Sequence, residues 1–151
     1  MLKQVKGNIF DALHGMICHQ VNCQGVMGSG IAKDIKKKFP TVFIEYSKLI
    51  YSWGKENCFG KCQIVEITPK TLFIVNLFGQ FYYGRDKRYT DYGALSSALA
   101  SLSVWHKTNC HPNFPVFIPF NMGCSNAGGD WREVYNIIEL HIPNAVIVKN
   151  S

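Results

Sequence analysis

Short apolar runs alternate with stretches of helical period along the whole chain, and none of the runs is long. "TLFIVNLFG" at 71–79 is the most extended. That is far below the ~20 residues of a membrane span. A chain patterned this way is expected to place helices on both faces of a central, partly parallel sheet, an α/β class. Strands are expected at 2–6, at 16–22 ("MICHQVN"), at "VFIPF" 116–120 and at the closing "AVIVK". "CQIVEI" and "TLFIVNLF", separated by "TPK", form an expected hairpin. Helices are expected over 29–38, stopped by Pro40, and over 41–53, with Val42, Tyr46, Leu49 and Trp53 on one stripe. Further helices are expected over 91–106, carrying Leu95, Leu99, Leu102 and His106, and from about Asp130 onward. With 151 residues, 47% of them hydrophobic and 17% charged, residues 1–151 read as one globular domain. A chain of this size buries roughly 70% of its unfolded surface without a staple.

In open α/β sheets, ligands sit beyond the carboxyl ends of the strands. Two glycine clusters fall there. "GVMGSGIA" follows the strand at 16–22, and "NMGCSNAGGD" follows the strand at 116–120. Glycine lets backbone N–H groups turn towards a ligand's oxygens, and the helix that follows adds its positive N-terminal end. Gly28-Ser29-Gly30 does not complete the dinucleotide fingerprint, because Lys33 stands where the third glycine belongs. No Gly-Lys-Ser/Thr follows either, so a P-loop is excluded. Two such loops, each leading into a helix, fit a diphosphate better than a single phosphate.

The formal net charge of +6 points to an anionic partner. "KDIKKKF" could meet nucleic-acid phosphates, but a solvated helix face is the commoner case. Without stacking aromatics interleaved in that run, a small phosphorylated ligand accounts for the charge better than a polynucleotide does. Cys18, Cys23, Cys58, Cys62, Cys110 and Cys124 occur without a secretory signal, so free thiols are expected. Cys58 and Cys62 are spaced like a zinc pair, with Cys110-His111 as a possible complement, but no second tight pair supports a metal. The expectation is a cytoplasmic monomer with no membrane contact, metal or cofactor.

Four segments carry a family resemblance: "VKGNIFDA", "HQVNCQGVMGSGIAKDIKKKFP", "NLFGQFYYGRDKRYTDYGAL" and "IPFNMGCSNAGGDW". In this order the chain resembles the macrodomain family, and within it the ADP-ribose 1″-phosphate phosphatase-like branch, which also includes enzymes that remove terminal ADP-ribose from protein. The resemblance implies a three-layer α/β/α fold with a central mixed sheet and an ADP-ribose cleft on top of it. Adenine would lie near Gly7, Asn8 and Ile9, and the distal ribose near Asn22, Gly28, Ser29 and Gly30. The diphosphate would lie between the first loop, through Ile31, and the second loop at Asn121, Gly123, Cys124, Ser125, Asn126 and Ala127. Many macrodomains carry aspartate where this chain has Asn8, whose amide oxygen can still accept a bond from the adenine amino group. The relatives that cut glutamate-linked ADP-ribose carry a lysine and an aspartate that correspond here to Tyr83 or Gly84, and to Ala127. That difference favours a phosphatase or a non-catalytic reader over a glycohydrolase.

For chemistry, Asn22 and Asp130 are the leading candidates, with His19 as a third. Asp130 is either a general base or a helix cap. His19 is either a proton carrier or a satisfied core residue. Three residues apart on an extended strand, His19 and Asn22 would face opposite sides. Asn76 could orient a hydroxyl or a water, Arg85 could pair with a phosphate, and Asp91 reads as a cap.

Overall fold

The computed structural model describes residues 1–151. Six strands form one sheet: β1 Lys3–Lys6, β2 Gly15–Gln20, β3 Cys62–Thr68, β4 Leu72–Leu77, β5 Val116–Pro119 and β6 Val146–Lys149. Their spatial order is β1-β6-β5-β2-β4-β3. Every neighbouring pair is parallel except the β3–β4 hairpin, so the sheet is mixed. Five helices cover it: α1 Gly30–Lys38, α2 Pro40–Trp53, α3 Lys55–Cys58, α4 Tyr92–Asn109 and α5 Trp131–His141. Crossovers between parallel strands place helices on the sheet faces, and the two layers follow from that.

All residues of β2 and β4 are buried. Alternate side chains supply two separate cores. Met16 and Cys18 with Phe73, Val75 and Leu77 join Leu95, Leu99, Leu102, Val134 and Ile138 of α4 and α5. Ile17, Ile74 and Val65 join Ile35, Val42, Tyr46 and Cys58 under α1, α2 and α3. This is the three-layer α/β/α arrangement implied by the sequence.

Boundaries agree closely with expectation, and the differences have local causes. β2 stops at Gln20; Val21 N still donates to Leu77 O at 2.8 Å, so Asn22 lies just beyond the sheet. Asp91 and Asp130 cap α4 and α5, accepting from Ala94 N and Arg132 N. α4 runs on to Asn109, past the apolar stripe that marked it. Two elements carried no periodic signal: a 3-10 turn over Ile9–Asp11, capped by Asn8, and the four-residue α3.

A polar ladder crosses three strands on the α1–α2 side. His19 pairs with Asn76 across β2 and β4, and Asn76 Nδ2 donates to Gln63 Oε1 at 3.0 Å. Gln63 Nε2 donates in turn to Glu45 O on α2 at 3.0 Å. With its amide directed at Gln63, Asn76 presents Oδ1 to His19, so His19 Nε2 carries the proton. Nδ1 is left buried without a partner. Burial, opposed by the Asn76 bond, lowers the His19 pKa from 6.5 to about 4.

Two outcomes follow. Gly15 begins β2 at φ 125°, and a Cβ there would lie 2.9 Å from both Phe117 Cε2 and Pro115 O. Gly15→Ala is expected to lower stability by about 1–3 kcal/mol, read as a shift in the urea midpoint. For His19, the unfolded chain binds a proton that the folded chain refuses. Stability from this group is full above pH 6.5 and declines as the pH falls towards 4, by on the order of 3 kcal/mol. His19→Gln should remove that part of the difference between urea midpoints taken at about pH 7.5 and about pH 4.5; an unchanged difference would refute a neutral buried histidine.

Candidate functional site

The carboxyl ends of β2, β5 and β6 open onto one cleft of about 970 Å³. This lies at the upper end of the ~300–1,000 Å³ typical of small-molecule sites. Gln20 at the end of β2, Val21 and Asn22 just after it, Pro119 to Gly123 at β5, and Val148 to Asn150 at β6 line it. One wall is the first glycine loop and the start of α1, supplied by Val26, Gly28 to Ala32 and Asp34; the other is Ser125 to Ala127, with Gln80 and Tyr83 to Arg85 beside it. Asn8, Ile9 and Phe10 close one end. At the mouth the loops touch, with Asn126 Nδ2 donating to Ser29 Oγ at 3.2 Å.

Of the residues picked from sequence, Asn8, Ile9, Asn22, Gly28, Ser29, Gly30, Ile31, Asn121, Gly123, Ser125, Asn126 and Ala127 come together around this cleft. Gly7, Cys124, His19 and Asp130 do not line it. Gly7 N is taken by Lys149 O at 2.9 Å, and Cys124 Sγ faces Met122 O at 3.4 Å. His19 is fully buried in the ladder beneath the sheet. Asp130 Oδ1 accepts from Arg132 N at 2.9 Å, and Oδ2 faces the Arg132 guanidinium at 3.3 Å. Those bonds hold its carboxyl below the usual range. Both expected acid–base groups are therefore placed by structural bonds rather than by the cleft.

Asn22 is 8% exposed, and its side chain braces the first loop. Oδ1 accepts from Gln24 N at 2.9 Å, and Nδ2 donates to Val26 O at 2.8 Å. Behind it the Tyr46 hydroxyl on α2 stands 2.7 Å from Asn22 O and 2.9 Å from Oδ1. Burial raises the pKa of that hydroxyl, so it stays a proton donor at neutral pH. One Nδ2 hydrogen of Asn22 remains for a ligand.

Sequence reasoning passed over Gln20, which joins three segments. Its Nε2 donates to Gln80 Oε1 and to Thr90 Oγ1, both at 2.8 Å, and Thr90 Oγ1 donates to Gly123 O at 2.6 Å. The signal was a glutamine at the carboxyl end of a buried strand whose only other polar side chain is His19. Asp34 was passed over as part of the lysine run; it is the one carboxylate lining the cleft, where Arg85 and Lys149 are the cations. All six cysteines are free thiols, and burial raises every one of their pKa values, Cys62 and Cys124 to about 11. No group of three or more His, Cys, Asp or Glu side chains is gathered as metal ligands.

No protein-family model matches the chain. An uncharacterized 17.5 kDa protein from the tk-vs intergenic region of Enterobacteria phage T4 is 28% identical, across 98% of this chain and 94% of that protein. An ADP-ribose 1″-phosphate phosphatase of Aspergillus fumigatus is 30% identical over 88 residues, 58% of this chain. That match spans 38% of the phosphatase's length. A Bacteroides thetaiotaomicron protein of unknown function superposes with a TM-score of 0.86 at 24% identity, over 100% of this chain and 98% of the other. The macrodomain of Mycobacterium tuberculosis DarG gives 0.76 at 24% identity, over 98% and 97% of the two chains. Thermosipho africanus DarTG, solved in complex with ADP-ribose, gives 0.80 at 19% identity, over 99% of this chain and 41% of that one. With its mixed six-stranded sheet between two helical layers and these neighbours, the chain has the macrodomain fold, and its resemblance to macrodomains of the ADP-ribose 1″-phosphate phosphatase type is borne out.

Proposed function

We propose that the cleft binds ADP-ribose and that the protein hydrolyses ADP-ribose 1″-phosphate to ADP-ribose and phosphate. The observation that carries the reading is the meeting of two glycine loops over a single cleft at the carboxyl edge of the sheet. Such loops offer backbone N–H groups to a diphosphate, and α1 begins at Gly30 with its positive end beside them. The base would occupy the Asn8–Phe10 end, and the distal ribose would lie beside Asn22, Gly28 and Ser29. The phosphatase named among the relatives supports the reaction, and the DarTG complex supports the ligand. In phosphate release, positioning and charge stabilisation do most of the work. Loop N–H groups, the free Asn22 hydrogen and Arg85 are suited to it.

A second reading, a non-catalytic ADP-ribose binder, is favoured by one observation: Asp130 and His19 are both engaged outside the cleft. Removal of ADP-ribose from a macromolecule has less support, because the resemblance sets Tyr83 or Gly84, and Ala127, against the lysine and aspartate of macrodomains that cut glutamate-linked ADP-ribose.

Calorimetric titration should show ADP-ribose binding in the micromolar range, about −8 kcal/mol, and AMP binding far more weakly. Gly30 has φ 57°, and a Cβ there meets nothing within 4 Å; Gly28 lacks that positive φ. Gly30→Glu and Gly28→Glu, both folded by circular dichroism, should lose ADP-ribose binding. Retained binding in both would move the ligand elsewhere.

Phosphate release from ADP-ribose 1″-phosphate separates the catalytic readings. Asp130→Asn keeps a side chain able to cap α5, and it should leave the rate within about two-fold, because the carboxylate is already committed to Arg132. A loss of ~100-fold would instead make Asp130 the general base. No release by the parent protein would leave the binder.

A further inference from the structure

β3 closes one side of the sheet, and its outer edge has no strand beside it. Phe78 N donates to Lys61 O at 3.0 Å, and on the far side of β4 the carbonyls of Thr71 and Leu77 accept from Gly15 N and Val21 N. Bonded positions alternate along an antiparallel ladder. Gln63 and Val65 therefore bond to β4, while Cys62, Ile64 and Glu66 turn their N–H and C=O groups outward. The register shift falls beyond Glu66, so this outward set is regular. The opposite edge of the sheet differs. β1 has four residues, and Lys3, Gln4 and Lys6 are exposed on it. Short, lysine-bearing edges discourage pairing. β3 has seven residues and no lysine.

A groove of about 290 Å³ lies between this edge and α2, lined by Thr41, Glu45, Gln63, Ile64, Val65 and Glu66. No Lys, Arg or His side chain lines it, although the net charge of the chain is +6. Glu45 Oε1 stands 3.7 Å from Lys48 Nζ in an exposed pair, and Glu66 Oε2 accepts from Lys70 N at 3.0 Å. Each carboxylate keeps its other oxygen open. Gln63 ties the edge to α2 through its bond to Glu45 O, so the groove is preformed. We propose that this edge takes up an extended peptide segment of a partner protein, which adds a strand beside β3 and sets a Lys or Arg side chain against Glu45 and Glu66. The outward groups of Cys62, Ile64 and Glu66 supply the main-chain bonds, and the groove reads alternate side chains of the segment. The two carboxylates repel a nucleic-acid strand. They also disfavour a second copy of this chain, because β3 laid antiparallel on β3 brings both pairs of carboxylates into one interface.

The test selects displayed random peptides of about nine residues on the parent protein and measures the selected peptides by fluorescence anisotropy. They are expected to carry a Lys or Arg among β-branched residues. Glu45→Lys reverses an exposed charge and should weaken them about five-fold, and high salt should weaken them on the parent. Ile64→Pro removes an outward N–H and no bond to β4, and it should weaken them about ten-fold. Circular dichroism checks the fold of both variants. In the complex, amide exchange at Ile64 and Glu66 should slow, while exchange at Gln63 and Val65, already bonded to β4, stays as it was. If Ile64→Pro does not fold, Glu45→Lys and the exchange pattern still decide the matter. Failure to select a binding peptide overturns the proposal. So do selected peptides without a cation, undiminished binding to Glu45→Lys, or unchanged exchange at Ile64 and Glu66. A parent protein that dimerises in analytical ultracentrifugation while Ile64→Pro stays monomeric overturns it in favour of a second copy.

Discussion

β2 and β4 lie in the middle of the sheet with helices on both faces, so their peptide groups can bond only sideways and their side chains must be apolar or paired. Polar chemistry is displaced to the carboxyl edge, where the strands stop. The few polar side chains left near the centre act as fasteners. Tyr46 and Asn22 join α2 to the first loop, while Gln20 and Thr90 join the end of β2 to the second. Both glycine loops thereby hang from largely buried amide and hydroxyl groups, whose hydrogen bonds are stronger there than in water. A loop rich in glycine is held in one shape by neighbours that are not glycine.

Much of this was legible in the chain. Continuous apolar runs gave the buried strands, "TPK" the hairpin, and Asp91 and Asp130 the helix starts, because strand period, turn residues and caps are local properties. The macrodomain fold and most cleft residues came from four motifs in order. The distribution of polar roles was not legible. His19, Gln20 and Asn22 stand within four positions of each other, yet the first is a core residue, the second a junction and the third a brace. Their roles depend on Asn76, Thr90 and Tyr46, which come from distant parts of the chain. Asp34 was hidden for a similar reason: helical geometry, not its neighbours in sequence, turns it towards the cleft.

The positive charge has a different meaning in three dimensions. Of the lysines in "KDIKKKF", none lines the cleft. Lys36 lies 4.1 Å from the Phe43 ring centroid and Lys38 lies 5.5 Å from that of Phe10, so these side chains cover aromatic surface while their ammonium groups stay in water. An anion in the cleft would be held by backbone N–H groups and by Arg85 and Lys149 at its margins. Such a site recognises the shape of its ligand more than its total charge, since backbone donors are fixed in direction whereas a lysine swings.

The six raised thiol pKa values have a practical side. At neutral pH almost every cysteine is protonated, and a protonated thiol is a poor nucleophile towards alkylating reagents and disulfides. The native chain is thus chemically quiet despite its sulfur content. A single cysteine engineered onto the exposed rim, at Ser29 or Ser125 for instance, would outpace all six in taking up a fluorophore or spin label. Loop motion during ligand exchange could then be followed in a protein whose own cysteines need not be removed.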